Sequence, residues 1–144
     1  MFFFQHGLSD LAVAMDDLAF IDHLWADWSP GYDASADLPH VKDALRDPAN
    51  LAAALGYYRA TLGGVGVDPG LDAVQNKAVA PLQQPTLYLH GRTDGCMGIE
   101  VAEQAADHLP SEGSHMEIVD DAGHFLHLER PDVVNPLVLD FLST

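Results

Sequence analysis

The chain has 144 residues, of which 48% are hydrophobic and 19% charged, a balance that excludes a disordered polymer and fits one globular domain. Its 22 acidic residues against 6 basic ones give a formal charge of −16, a sign that repels phosphate backbones and anionic lipid, so neither nucleic acid nor a membrane is an expected partner. The one cysteine, Cys96, allows no internal disulfide. The run Met1-Phe2-Phe3-Phe4 is too short and lacks the basic flank of a signal peptide or a membrane span, and the expectation is a soluble, cytoplasmic protein.

From Leu8 to Trp28 the apolar residues Leu11, Met15, Leu18, Ile21, Leu24, Trp25 and Trp28 recur at helical spacing, with aspartates on the other side. This predicts an amphipathic helix, stopped by Ser29-Pro30-Gly31. A short helix is predicted over 38–45. Asp47-Pro48 reads as the N-cap and first-turn proline of a helix running to Leu62 and ended by Gly63-Gly64. Residues 63–85 are rich in Gly, Pro, Asn and Gln and read as a connecting segment. A strand over 86–90 follows, then a helix over 98–108 with Ile99, Val101, Ala102, Ala105 and Ala106 inward, a second strand over 116–119, and a closing helix over 131–142 that Pro136 is expected to kink. A strand-helix-strand unit implies parallel pairing with a right-handed crossover. Two parallel strands do not make a stable core, so at least one edge should be bare or paired with another chain.

Both strands run into turns that deliver chemistry. Leu87-Tyr88-Leu89-His90-Gly91-Arg92-Thr93-Asp94 ends in an acid, and Ile118-Val119-Asp120-Asp121-Ala122-Gly123-His124-Phe125 ends in a histidine followed by an aromatic. An acid and then a histidine, each past a strand, are the last two members of a nucleophile-histidine-acid triad in one known chain order. Other readings stand beside this one. Asp94-Gly95 is an ordinary turn pair, and His124 is one of eight histidines.

The expected nucleophile does not stand out. No Gly-x-Ser-x-Gly occurs. Gly66-Val67-Asp68-Pro69-Gly70 matches Gly-x-Asp-x-Gly, yet no apolar strand leads into it and Pro69 lacks the N–H an oxyanion hole needs. Cys96 lies close enough to Asp94 in sequence to approach His124, although a buried or loop cysteine is the commoner case. His124 and His127 with Glu129 match zinc-ligand spacing poorly, and neither a metal nor another cofactor is expected.

Pro85-Thr86-Leu87-Tyr88-Leu89-His90-Gly91-Arg92-Thr93-Asp94 together with Ala122-Gly123-His124-Phe125-Leu126-His127-Leu128-Glu129-Arg130-Pro131 resembles the C-terminal signature of the α/β-hydrolase superfamily, in its epoxide-hydrolase and haloalkane-dehalogenase-like branch. Phe2-Phe3-Phe4-Gln5 and Gly56-Tyr57-Tyr58-Arg59 resemble that branch's helical cap less distinctly. The resemblance implies an α/β fold class: an incomplete α/β-hydrolase fold, with a helical cap segment and linker over 1–84 and a β-α-β-α unit with a short parallel sheet over 85–144. The strands bearing the oxyanion loop and nucleophile elbow would be missing.

The resemblance further implies His124 as general base and Asp94 as the acid that orients it, in hydrolysis of a small, largely apolar ester, epoxide or haloalkane through a covalent ester intermediate. Tyr58 falls where the later of two cap tyrosines that hydrogen-bond an epoxide oxygen is found, while the earlier position offers phenylalanine. Trp25, Trp28 and Phe125 would line the substrate pocket; Tyr58 reads equally as a packing residue, and tryptophans such as Trp25 and Trp28 are more often that. The second expectation is an inactive truncated fragment or a partner-binding module. Such a chain would self-associate, or pair with a missing N-terminal half, along the exposed strand edge.

Overall fold

The structure, a computed structural model, describes residues 2–64, 68–78, 80, 83–110 and 112–143. Its helices are α1 (Ser9–Trp28), α2 (Leu38–Leu45), α3 (Pro48–Gly63), α4 (Asp72–Ala78), α5 (Ile99–Ala105), α6 (Leu126–Glu129) and α7 (Pro131–Leu142). The strands are β1 (Leu87–Gly91) and β2 (His115–Val119), and short 3-10 turns cover Phe2–Gln5, Pro69–Leu71 and Ala106–His108. The chain groups into two compact units: Met1–Leu24 with Asp33–Val79, and Trp25–Tyr32 with Ala80–Thr144. Residues 25–32, read from sequence with the helical segment, therefore group with the C-terminal part.

The first unit is helical. Phe4, Val13, Leu18, Leu51 and Leu55 form its core, with Phe20, Ile21, Leu45 and Tyr58 packed against it. α3 begins as its sequence dictates, the Asp47 carboxylate accepting from the Ala49 N–H at 2.8 Å, and ends at Gly64, whose φ of 66° suits a glycine C-cap.

The predicted continuous α1 requires correction. Asp16, Asp17 and Leu18 have φ of 50°, 55° and 62°, so the helix reverses hand for one short stretch. That break re-phases the buried face. Val13 becomes buried, while Leu11 and Met15, expected inside, are 63% and 54% exposed. Within the break, Asp17 pairs Arg46 Nε at 3.0 Å and Lys42 at 3.7 Å. The segment read as a plain connection carries the 3-10 turn at Pro69–Leu71 and α4. Gly66 and Val67 of the Gly-x-Asp-x-Gly match lie outside the described residues. Asp68 opens the turn, its carboxylate accepting from the Gly70 N–H at 2.8 Å.

The second unit is built on β1 and β2, parallel and registered from Leu87↔His115 to Gly91↔Val119. The described sheet has these two strands, with the parallel pairing expected from sequence. Val119, Ala122 and Val134 form the core, with Leu89, Leu126 and Val133 beside them. In α5, Ala102 is fully buried, but Val101, and Ala106 in the 3-10 turn that follows, face outward, contrary to the expected inward set. The helix is short and presents one narrow stripe. α6 had no sequence expectation, and α7 continues through Pro136. Among the described residues no helix is long and apolar enough to cross a membrane.

Candidate active site

The turn after β1 and the turn after β2 meet over the segment that ends α1. The carbonyl of Trp28 accepts from the Gly95 N–H and from the His124 N–H, both at 3.0 Å, so one oxygen ties the acid loop to the histidine loop. The approach is close enough to require glycine. A Cβ on Gly95 would stand 1.9 Å from the Asp27 carbonyl oxygen, and one on Gly123 would stand 2.6 Å from Ser29 Cα. Ser29, buried at 1% exposure, donates its hydroxyl to Glu129 Oε1 at 2.7 Å and accepts from the Phe125 N–H at 3.1 Å. Glu129 also accepts from the Gly123 N–H at 2.8 Å and the Phe125 N–H at 3.1 Å, bracing the histidine loop from both sides.

In this frame the Asp94 Oδ2 and His124 Nδ1 atoms are 2.9 Å apart. The Asp94 side chain is 6% exposed and that of His124 30%. Oδ1 of Asp94 accepts from the Cys96 N–H at 2.7 Å and the Met97 N–H at 2.9 Å. Burial works against the charged carboxyl, but the Met97 N–H, the His124 ring and the Cys96 N–H together outweigh it and hold Asp94 below its ordinary pKa. An ionised carboxylate can only accept, so Nδ1 of His124 carries the proton and Nε2 is left as the basic nitrogen.

The aromatic neighbours form a wall around this pair. Trp25 stacks on Phe125 with centroids 4.0 Å apart, and Trp28 meets the His124 ring edge-on at 4.7 Å.

These turns, strands and helices match one family along most of their length: residues 18–131 fit the alpha/beta hydrolase fold. The chain belongs to that family. The α/β-hydrolase chain is 29% identical over 115 residues to the AB hydrolase superfamily protein YfhM of Bacillus subtilis, an alignment covering 79% of this chain and 36% of that protein. It is 37% identical over 66 residues to epoxide hydrolase B of Mycobacterium tuberculosis, covering 44% of this chain and 18% of that one. The chain thus spans well under half the length of these curated relatives. Its fold is also that of a thermophilic esterase from Thermogutta terrifontis in a malate-bound structure, with a TM-score of 0.59, 24% identity, and coverage of 93% of this chain and 47% of that one.

Of the residues singled out from the α/β-hydrolase sequence, Asp94, His124, Trp25, Trp28 and Phe125 come together in the second unit. Tyr58 belongs to the first, where its ring packs on Phe4 at 4.8 Å. Cys96 lies beside the pair, but burial and then the charge of Asp94 push its thiol above the ordinary value, which keeps it protonated and a poor nucleophile. Asp94, Cys96 and His124 each offer a ligand atom within 4.8 Å of the others, the one such set among the described residues that could take a metal ion. The grouping of His124, His127 and Glu129 considered from sequence does not form. The Glu129 carboxylate is engaged with Ser29, Gly123 and Phe125 instead. Ser29 is the residue that sequence reasoning missed. Its one signal was a helix-stopping Ser-Pro-Gly.

Proposed function

We propose that this chain supplies the histidine and acid of a hydrolase acting on a small, largely apolar ester, epoxide or haloalkane through a covalent ester intermediate. The nucleophile would come from polypeptide outside these 144 residues. The observation that carries the reading is the 2.9 Å contact between a nearly buried Asp94 carboxylate and Nδ1 of a partly exposed His124. In the hydrolytic step, His124 Nε2 removes a proton from water as the water oxygen bonds to the ester carbonyl carbon. The ester C–O bond then breaks, and the proton passes from the imidazolium to the departing oxygen. Asp94 stabilises the imidazolium between those transfers. Trp25, Trp28 and Phe125 would form the apolar wall against which such a substrate packs.

The test is to read the genomic frame that precedes the Met1 codon and to express the product. A strand, a Gly-x-Asp-x-Gly or Gly-x-Ser-x-Gly turn and a helix in that frame, giving a protein that hydrolyses an epoxide or a p-nitrophenyl ester, would bear the proposal out. A stop codon immediately upstream would count against it. That outcome would favour a second reading, supported by the two-stranded parallel sheet: a catalytically inert module that pairs with a second polypeptide along a strand edge.

A further inference from the structure

His90, on β1, is 4% exposed, and both of its ring nitrogens are engaged. Nδ1 is 3.1 Å from the Tyr88 hydroxyl and Nε2 is 3.0 Å from the Met97 carbonyl oxygen. A carbonyl can only accept, so Nε2 carries the hydrogen, and Nδ1 accepts from the tyrosine. Burial, and then the charge of Asp94, push the Tyr88 phenol above its ordinary pKa, which keeps it protonated and therefore a donor.

Met97 links this pair to the acid. Its carbonyl receives the His90 N–H, and its own N–H donates to Asp94 Oδ1 at 2.9 Å. At the other end of the loop the Asp94 N–H donates to the Gly91 carbonyl at 3.2 Å. A carboxylate that receives two consecutive N–H groups in an exposed turn is held only as firmly as the turn itself. Here the far end of the turn is fastened to a buried ring on the strand below it.

We propose that His90, oriented by Tyr88, is a positioning residue for the acid. By fixing Met97 it keeps the Met97 N–H on Asp94 Oδ1 and leaves Oδ2 aimed at His124. The proposal rests on the reading of Asp94 as the acid of the pair. A buried histidine that merely fills space would serve the core without bearing on Asp94. The two roles separate experimentally, because an imidazole that acts through Nε2 is replaceable by a glutamine amide placed at the same point, whereas a space-filling ring is replaceable by leucine.

The experiment compares His90→Leu, His90→Gln and Tyr88→Phe in the full chain. It follows amide hydrogen exchange at Cys96 and Met97 against the amides of α7, and the titration of the Asp94 carboxyl by carbon NMR. The expected result for His90→Leu is about tenfold faster exchange at both loop amides relative to α7, the scale of one lost hydrogen bond, with Asp94 titrating at higher pH. His90→Gln should restore both, and Tyr88→Phe should show the same two changes in smaller measure. Unchanged loop exchange in His90→Leu, or a glutamine variant as perturbed as the leucine one, overturns the proposal. If His90→Leu does not fold, Tyr88→Phe decides, and loop exchange and Asp94 titration identical to the unsubstituted chain overturn it. None of these readouts needs a substrate or a nucleophile, so their failure leaves the hydrolase reading standing, and the absence of an upstream nucleophile leaves them interpretable.

Discussion

At Ser29 a single hydroxyl, 1% exposed, stands between Glu129 and the Phe125 N–H. Replacing it with alanine takes a donor from Glu129 and leaves its carboxylate under-satisfied in a part-buried place. Ser29→Ala should therefore lower unfolding free energy by about 1–3 kcal/mol, read from urea denaturation; a loss indistinguishable from zero would show that the brace is not needed. Asp94 gives a prediction with a sign. Its folded pKa lies below the ordinary 3.8, so the stabilisation it confers is complete above the unfolded value and is lost as pH falls through the folded one. Asp94→Asn should flatten that part of the acid limb when denaturant midpoints are measured against pH below 3.8. An acid limb identical to the parent chain's would contradict the assignment. Asp94 and His124 were legible in sequence because each follows an apolar run and a glycine. Ser29 was not, since its partners lie a hundred residues away in the chain.

At the level of elements, what local chemistry dictates was readable. α3 has its Asp47 cap, its Pro48 start and its Gly64 end, and β1 and β2 are short apolar runs bounded by turn residues. The reversal inside α1 was not readable, because periodicity assumes one continuous helix. The ion pairs of Asp17 come from Lys42 in α2 and Arg46 at its C-cap, far along the chain. Left-handed conformation costs roughly 1–2 kcal/mol per non-glycine residue, and glycine gives part of that back through its greater freedom when unfolded. Asp16→Gly, at φ 50°, should accordingly raise stability by up to about 1 kcal/mol, measured by thermal or urea unfolding. A clear loss of stability would place a regular right-handed helix at that position. α4 was missed for a simpler reason: its seven residues, Asp72 to Ala78, offer no apolar stripe.

Across the whole molecule, the family assignment covers residues 18–131, while the described sheet has two strands. Leu8, Tyr57, Leu139 and Leu142 are 73%, 79%, 64% and 74% exposed. In a hydrolase completed with its nucleophile, His124→Ala should reduce kcat by about a thousandfold or more and leave the unfolding midpoint nearly unchanged. Retained activity would remove His124 from the chemistry. The central claim, an ionised Asp94 holding His124 as a base, can be tested on this chain by itself. Nitrogen NMR of the His124 ring at neutral pH reads the tautomer directly. The account predicts a protonated Nδ1 and a bare Nε2, with a downfield Nδ1 proton that disappears in Asp94→Ala. A ring protonated at Nε2 and bare at Nδ1 would contradict it.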